Sequence, residues 1–231
     1  MRLRKPLHPG VLRKRYKRFL ADVELADGRL VTAHCADPGR LPGLAVPGAP
    51  VWLSHHDDPK RKLAWTLELI AQGEALVAVN SQNPNRIARE GFEAGRFAFA
   101  TGWTELLREP RIENGTRLDF VLAYRDRPPL YVEVKGITWK RDGLAVFPDA
   151  PTVRGRRHLR TLERLAGEGF GAALLFIAQR RDVEGFAPAA DIDPAYAEAL
   201  ASARAAGVIV RAWRCAINLC EILLDTELPP V

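Results

Sequence analysis

The pattern of apolar and polar positions changes near residue 80, and the two parts of the chain predict different structures. Before that point, short apolar runs are separated by turn residues such as Ala26-Asp27-Gly28, which is typical of strands joined by tight turns. Five strands are expected there, over residues 15–25, 30–35, 51–54, 63–70 and 76–79. Closure removes exposed sheet edges, so short strands with Gly and Pro between them favour a small barrel. We therefore predict an OB-like β-barrel in residues 1–80, a fold that commonly binds oligonucleotides.

Residues 81–231 combine helical and strand periodicities, as expected of a mixed α/β domain. Helices are expected to begin at three N-terminal signals, namely Pro84, Thr152 and Asp193-Pro194. Strands are expected over residues 105–112, 117–124, 130–136, 171–178 and 208–213, with a turn at Asn114-Gly115. The predicted fold class is thus α/β (α+β mixed), with an N-terminal OB-like β-barrel and a C-terminal domain whose central mixed sheet is flanked by helices.

Composition excludes several classes of protein. The chain has 231 residues, of which 47% are hydrophobic and 27% charged, so disorder and a collagen-like structure are excluded. No apolar run approaches the roughly 20 residues needed to span a bilayer, and no apolar segment follows the N-terminal basic residues. We therefore expect a cytoplasmic protein with no membrane partner. The three cysteines show no CxxC spacing and predict neither a disulfide framework nor a structural zinc site.

Positive charge is concentrated at the start of the chain. The formal net charge is +6, yet the first 18 residues hold eight basic side chains and no acid. A local basic excess is expected where a polyanion binds, because neutralised phosphates release counterions; the alternative is a solvated, frayed tail. The candidate nucleic-acid contacts are Arg13, Lys14, Arg15, Lys17, Arg18, Lys60, Arg61, Lys62, Arg154 and His158. The abundance of arginine does not by itself indicate nucleic-acid binding, because arginine outnumbers lysine 27 to 7 over the whole chain.

Two predicted strands bring acidic and basic side chains together. Asp119 lies on the polar face of one strand, and Glu133 and Lys135 lie on the polar face of the next. A turn near Arg127 pairs residues whose numbers sum to about 254, which places Asp119 opposite Lys135 and diagonal to Glu133, within about 7 to 8 Å. Carboxylates with no His or Cys beside them suit Mg²⁺ or Mn²⁺. The alternative is an ordinary solvated face of a hairpin.

Asp119, followed by Glu133-Val134-Lys135, resembles the PD-(D/E)XK signature of restriction-endonuclease-like nucleases. A longer likeness is spread between about residues 13 and 224, in residues 18–23, 34–35, 37–41, 80, 132–135, 147–159, 175–176, 179–180, 186–188, 191 and 193–194. Together these segments resemble the sugar fermentation stimulation protein A family. The resemblance implies an OB-like barrel, a restriction-endonuclease-like C-terminal domain, non-specific DNA binding and DNA/RNA nuclease activity. The family usually has Gln-Lys where this chain has Arg156-Arg157.

The resemblance and the hairpin together suggest catalytic roles for Asp119, Glu133 and Lys135. Asp119, Glu133 and the Val134 carbonyl would hold Mg²⁺, which polarises the scissile phosphate and acidifies a bound water. Lys135 would orient that water and offset negative charge on the phosphate. Glu90, on the first helix of the domain, is a candidate third metal ligand, or else a surface carboxylate.

Two further polar groups have open roles. Asp149 precedes a helix and either reaches the site or caps its own turn. Arg154 and His158 are four residues apart on a helix and share a face, so they could clamp a phosphate. The alternative for His158 is an ordinary exposed or core-edge histidine.

Three functions remain open from the sequence. The first is a divalent-metal-dependent nuclease, and the second is a non-catalytic, sequence-non-specific DNA-binding regulatory protein linked to sugar (maltose) metabolism. The third is a carbohydrate-responsive interaction protein in which the hairpin charges only solubilise the surface. The expected partner is DNA, with RNA as a further substrate and a homodimer as a further assembly.

Overall fold

The computed structural model describes residues 1–112 and 116–230, so the predicted Asn114-Gly115 turn lies outside the described residues. The first sheet contains β1 (Leu7–Tyr16), β2 (Leu20–Leu25), β3 (Leu30–Cys35), β4 (Pro50–His55), β5 (Trp65–Gln72) and β6 (Ala75–Ala78). The strand order is β3-β2-β1-β4-β5-β6, and a parallel pairing of β3 with β5 closes β1 to β5 into a barrel. The predicted closed barrel is confirmed.

The basic segment near the N-terminus is a strand of this barrel and not a frayed tail. β1 pairs with both β2 and β4. The chain reverses at Lys17 and Arg18, which both have positive φ, so the single run predicted over residues 15–25 is wrong in its first part. The sequence does not predict β1 as a separate strand, because only Leu12 of this strand is fully buried and its other positions are exposed or partly exposed.

The second sheet is mixed. Its strands are β7 (Glu105–Arg108), β8 (Phe120–Ala123), β9 (Leu130–Ile137), β12 (Gly171–Ala178), β14 (Ile209–Ile217) and β15 (Ile222–Leu228), in the order β15-β14-β12-β9-β8-β7. β9, β12 and β14 are mutually parallel, and the outer pairings are antiparallel. A smaller sheet joins β10 (Lys140–Arg141), β11 (Leu144–Phe147) and β13 (Gly185–Pro188). Most of the strands missing from the prediction have only two to four residues, too few to show a period.

Helices cover both faces of the second sheet, as predicted. They are α1 (Asn83–Glu93), α2 (Val153–Gly167) and α3 (Pro194–Ala205). Phe92 of α1 packs in one core with β8 and β9, whereas Leu159 of α2 and Leu200 of α3 pack in the core on the opposite face. The predicted caps form, because Thr152 Oγ1 accepts from Gly155 N and Asp193 Oδ1 accepts from Tyr196 N. Side chains on either face of β9 are therefore buried or partly buried.

The start of the chain lies with the second sheet. The Met1 amine donates to the Ile222 carbonyl at 2.7 Å, and Met1 and Leu3 belong to the core beneath α1. The division into residues 1–80 and 81–231 stays a prediction. No helix in residues 1–112 or 116–230 is both long enough and apolar enough to cross a membrane.

Arg180 joins the barrel to the second sheet. Its side chain is completely buried, and it donates to the Asp182 carboxylate, to the Thr138 carbonyl at 2.8 Å and to Gln72 Oε1 of the barrel at 2.8 Å. Removing one partner of a buried ion pair leaves polar groups that neither water nor protein satisfies.

We predict that Arg180→Ala lowers the free energy of unfolding by about 3 kcal/mol, because it orphans the buried acceptors around the guanidinium. Urea unfolding followed by circular dichroism measures the change. The matched control is Arg181→Ala at the neighbouring exposed position, expected to change stability by less than about 0.5 kcal/mol. Equal effects of the two substitutions would contradict this role for Arg180.

Candidate functional site

A cleft of about 480 Å³ lies between the barrel and the second sheet. The barrel contributes Arg18 from the β1–β2 turn and the loop of residues 37–40. The C-terminal part contributes Asn85 of α1, the end of β9 and the segment of residues 146–152. The predicted catalytic residues Asp119, Glu133 and Lys135 all line this cleft.

The register of the hairpin that carries these residues differs from the prediction. Phe120 pairs with Val132 and Leu122 with Leu130, a shift of two residues along β9 from the predicted pairing. Asp119 N donates to the Val132 carbonyl at 3.1 Å, so Asp119 lies beside Glu133 rather than opposite Lys135. Side chains alternate with a period of two, and a shift of two residues therefore leaves the acids on the predicted face.

Glu133 is a buried carboxylate, only 3% exposed, which rules out a solvated hairpin face. Its Oε1 accepts hydrogen bonds from Lys135 Nζ at 2.5 Å and from His158 Nδ1. Burial acts to raise the pKa of Glu133, but the hydrogen bond from His158 and the charge of Lys135 outweigh it and hold the pKa below its ordinary value. Within the described residues, Oε2 is buried without a hydrogen-bond partner.

The pKa of Asp119 is shifted in the opposite direction to that of Glu133. Burial, and secondly the charge of Glu133, raise its pKa to about 6. Its Oδ2 accepts from Val134 N at 2.7 Å, and its Oδ1 accepts from Asn85 Nδ2 at 2.7 Å. Asn85 is not among the residues predicted from the sequence. A signal was present, because Asn85 precedes Ala88 by three residues and so continues the buried face of α1 with a polar group.

Glu90 does not join Asp119 and Glu133. Its Oε2 forms an ion pair with the Met1 amine at 2.6 Å, and its side chain is 46% exposed. Among residues 1–112 and 116–230, no group of three or more His, Cys, Asp or Glu side chains is arranged to hold a metal ion. The structure therefore replaces the predicted Glu90 with Asn85 as the α1 residue that faces the acids.

The predicted phosphate clamp is divided between the cleft and the core. Arg154 lines the cleft, and its Nε lies 3.4 Å from His158 Nε2. His158 is only 3% exposed and contacts Glu133, so it positions that carboxylate and is not open to a phosphate. Asp149 also lines the cleft, where its Oδ2 accepts from Arg40 N of the barrel loop at 2.6 Å. Asp149 thus ties the barrel loop to the segment that follows β11.

The other predicted nucleic-acid contacts have different positions. Arg13 pairs with Glu24 on the neighbouring strand. Arg15 donates to the carbonyls of Asp37 and Gly39, each at 2.8 Å, and so holds the barrel loop of the cleft. Four predicted lysines are exposed and do not line the cleft, namely Lys14, Lys17, Lys60 and Lys62.

Arg61 and Arg156 have partners within the fold. Arg61 donates to Thr66 Oγ1 at 2.9 Å and lines a second cavity. Arg156, at the position where this chain differs from the resembled family, pairs with Asp193 and so helps to join α2 to α3.

A closed barrel is followed by a mixed sheet with helices on both faces, and acids and a lysine line the cleft between them. This arrangement defines an α/β protein with an OB-like barrel at its N-terminal end. Residues 14–79 match the family described as "SfsA N-terminal OB domain", and residues 82–221 match "Sugar fermentation stimulation protein RE domain". The chain therefore belongs to the sugar fermentation stimulation protein family, which confirms the resemblance found in the sequence.

Known relatives are similar over nearly the whole chain. The sugar fermentation stimulation protein homolog of Maricaulis maris is 46% identical over 216 residues, covering 93% of this chain and 92% of the relative. The homolog of Magnetococcus marinus is 44% identical over 223 residues, covering 96% of each chain. The solved structure described as Pyrococcus furiosus SfsA in complex with Ca²⁺ is 28% identical, has a TM-score of 0.90, and is matched over 100% of this chain and 98% of that chain.

We predict that Asp119 titrates near pH 6 in the metal-free protein, because burial and Glu133 raise its pKa to about 6 from 3.8. The folded state then binds this proton more tightly than the unfolded chain does. The contribution of Asp119 to the free energy of unfolding therefore falls as the pH rises from 3.8 to about 6. Carboxyl ¹³C NMR measures the pKa. In Glu133→Gln the pKa should fall but stay above 3.8, because burial is the larger cause. An ordinary pKa in both proteins would contradict the burial of Asp119.

Proposed function

We propose that this protein is a divalent-metal-dependent nuclease that hydrolyses phosphodiester bonds of DNA in the cleft. The observation that carries the proposal is the convergence of Asp119, Glu133 and Lys135 in a cleft that Arg18 and Arg154 also line. Phosphodiester hydrolysis requires three kinds of group: acids that bind a cation, a lysine that donates hydrogen bonds, and arginines that bind phosphates.

The residues present fit a divalent cation. Glu133 Oε2 is a buried oxygen without a donor in the described residues, beside a second carboxylate whose pKa Glu133 helps to raise. A cation would satisfy this oxygen and favour the ionised forms of both acids. Asp119, Glu133 and the Val134 carbonyl are the proposed ligands. When bound, Mg²⁺ or Mn²⁺ would supply polarisation of the phosphate and acidification of a water. The solved relative from Pyrococcus furiosus is in complex with Ca²⁺, a cation that prefers the same class of oxygen ligands.

The chain's own residues prepare the cleft for the reaction. Lys135 Nζ has three N–H donors and uses one of them for Glu133. The other two would donate hydrogen bonds to the attacking water and to a phosphate oxygen. His158 fixes the orientation of Glu133, and Asn85 fixes that of Asp119. Arg18 and Arg154 would hold the phosphates on either side of the bond that is cut.

A second candidate function is sequence-non-specific DNA binding without cleavage. One observation favours it: α1 presents the amide of Asn85 to Asp119 where an acid was expected, so α1 adds no third carboxylate beside Asp119 and Glu133. DNA would then bind to the same arginines, but the acids would not support hydrolysis. A regulatory role connected with sugar metabolism is compatible with this alternative.

We predict that Lys135→Ala and Glu133→Gln each abolish Mg²⁺-dependent cleavage while changing DNA affinity less than about tenfold, because neither substitution removes an arginine that binds phosphate. Labelled single-stranded and double-stranded DNA and RNA are incubated with each protein in Mg²⁺, Mn²⁺ or EDTA. Gel electrophoresis measures cleavage, and fluorescence anisotropy in EDTA measures binding.

The matched control is Lys140→Ala, which removes a lysine that pairs with Asp182 and does not line the cleft. It should cleave like the wild type. Cleavage by Lys135→Ala at the wild-type rate would refute the proposed roles. DNA binding by the wild type without cleavage in either metal would establish the second candidate.

A further inference from the structure

A second cavity of about 380 Å³ adjoins the cleft, and we call it the arginine pocket. Ser81, which lines the cleft, donates to the carbonyl of Ala36, which lines the arginine pocket, at 2.7 Å. The first turn of α1 borders both cavities: Asn85 faces the cleft, and the next residue, Arg86, lines the arginine pocket.

The arginine pocket has a positive charge that its own acids do not neutralise. Arg2, Arg4, Arg61 and Arg86 line it, and none of them forms an ion pair with a carboxylate of the described residues. Glu68 is the lining carboxylate, and its Oε1 accepts from Ser54 at 2.7 Å. Guanidinium groups gathered in a concave site favour an anion with several acceptor oxygens, of which phosphate is the common biological example.

Two further features independently indicate a missing acceptor. Asn83 lines the arginine pocket and is only 2% exposed, yet its Nδ2 has no hydrogen-bond partner in the described residues. A buried unpaired donor is costly, and an anionic oxygen would satisfy it. In addition, α1 begins at Asn83 without a side-chain cap, so the positive end of its dipole is open here.

The pKa of His56 responds to the positive charge of the arginine pocket. Burial lowers the pKa of His56, and so do the nearby charges of Arg61, Arg4 and His55, while Asp57 opposes them. His56 Nδ1 also lies 2.9 Å from Arg4 Nη1. An anion bound between these arginines would offset their charge and raise the pKa of His56.

We propose that the arginine pocket is a phosphate-binding subsite for the nucleic-acid strand held in the neighbouring cleft. This inference rests on the proposed function, because it assigns the pocket to the same substrate. The group bound is a phosphate, either the monoester at the end of a strand or an internal diester. A strand fixed at both the pocket and the cleft would present a defined bond to Asp119, Glu133 and Lys135.

Binding of short single-stranded DNA with a 5′-phosphate, a 3′-phosphate or hydroxyl ends tests the proposal. We compare the wild type with Arg4→Gln/Arg86→Gln by fluorescence anisotropy in EDTA, where no cleavage takes place. Both side chains are exposed, so the fold should persist, and the urea midpoint verifies it. Each lost arginine–phosphate contact should weaken binding about tenfold and reduce the slope of log affinity against log salt by about one. The matched control is Arg89→Gln, on the same helix but outside the pocket, which should bind like the wild type.

Each outcome has one meaning. A loss of affinity confined to one phosphorylated oligonucleotide identifies a strand end, and an equal loss with all three identifies an internal diester. Unchanged binding of every oligonucleotide by the double variant overturns the subsite, and it does so even if the wild type cleaves DNA. Loss of binding in the double variant, together with a wild type that never cleaves, retains the subsite and refutes only the nuclease.

Histidine NMR gives a second readout that requires no nucleic acid. Inorganic phosphate should raise the pKa of His56 in the wild type and in Arg89→Gln, but not in Arg4→Gln/Arg86→Gln. An unchanged His56 pKa in the wild type at millimolar phosphate would overturn the pocket as a phosphate site.

Discussion

The buried charge of Glu133 is the constraint on which the geometry of the site depends. A carboxylate inside a sheet covered on both faces is unstable unless it is paired and hydrogen-bonded. Lys135 supplies one partner from the same strand, and His158 supplies the other from α2. The start of α2 is fixed in turn, because Thr152 caps the helix and its backbone N donates to Asp193 at the start of α3. The orientation of one acid thus requires the whole helical layer on that face.

The opposite wall of the cleft is fixed by backbone groups of the barrel. Arg15 holds the carbonyls of Asp37 and Gly39, and Asp149 accepts from Arg40 N across the boundary between the two parts of the chain. A Cβ on Gly39 would lie 2.6 Å from Asp149 Oδ2, so the close approach depends on glycine. Arg15, from the basic N-terminal segment, therefore shapes the cleft from within the fold.

The sequence predicts the parts of this arrangement that depend on short-range patterns, such as the alternation of side chains along a strand and the residues that cap a helix. Alternation along β9 correctly places Glu133 and Lys135 on one face, and the caps at Thr152 and Asp193 correctly locate two helices. Register was not predictable, because the centre of the β8–β9 connection depends on packing and not on a turn signal. Glu90 was named as a candidate and Asn85 was not considered for a related reason: a search for a third acid overlooks an amide, and the orientation of α1 is set by tertiary contacts.

The number of arginines is a poor guide to where a polyanion binds, because many of them are already paired. Arg141, Arg164 and Arg214 form ion pairs with acids at the surface, and such exposed pairs present little net charge to a ligand. Under the proposed function, the electrostatic field at a bound nucleic-acid strand would be set instead by arginines concentrated in concave surfaces, where screening by water is weaker. Such surfaces lie on both sides of the first turn of α1, which gives Asn85 to the acids and Arg86 to the arginine pocket. Under the two proposals, the placement of this helix against the second sheet would therefore couple the reaction in the cleft to the binding of an anion in the arginine pocket.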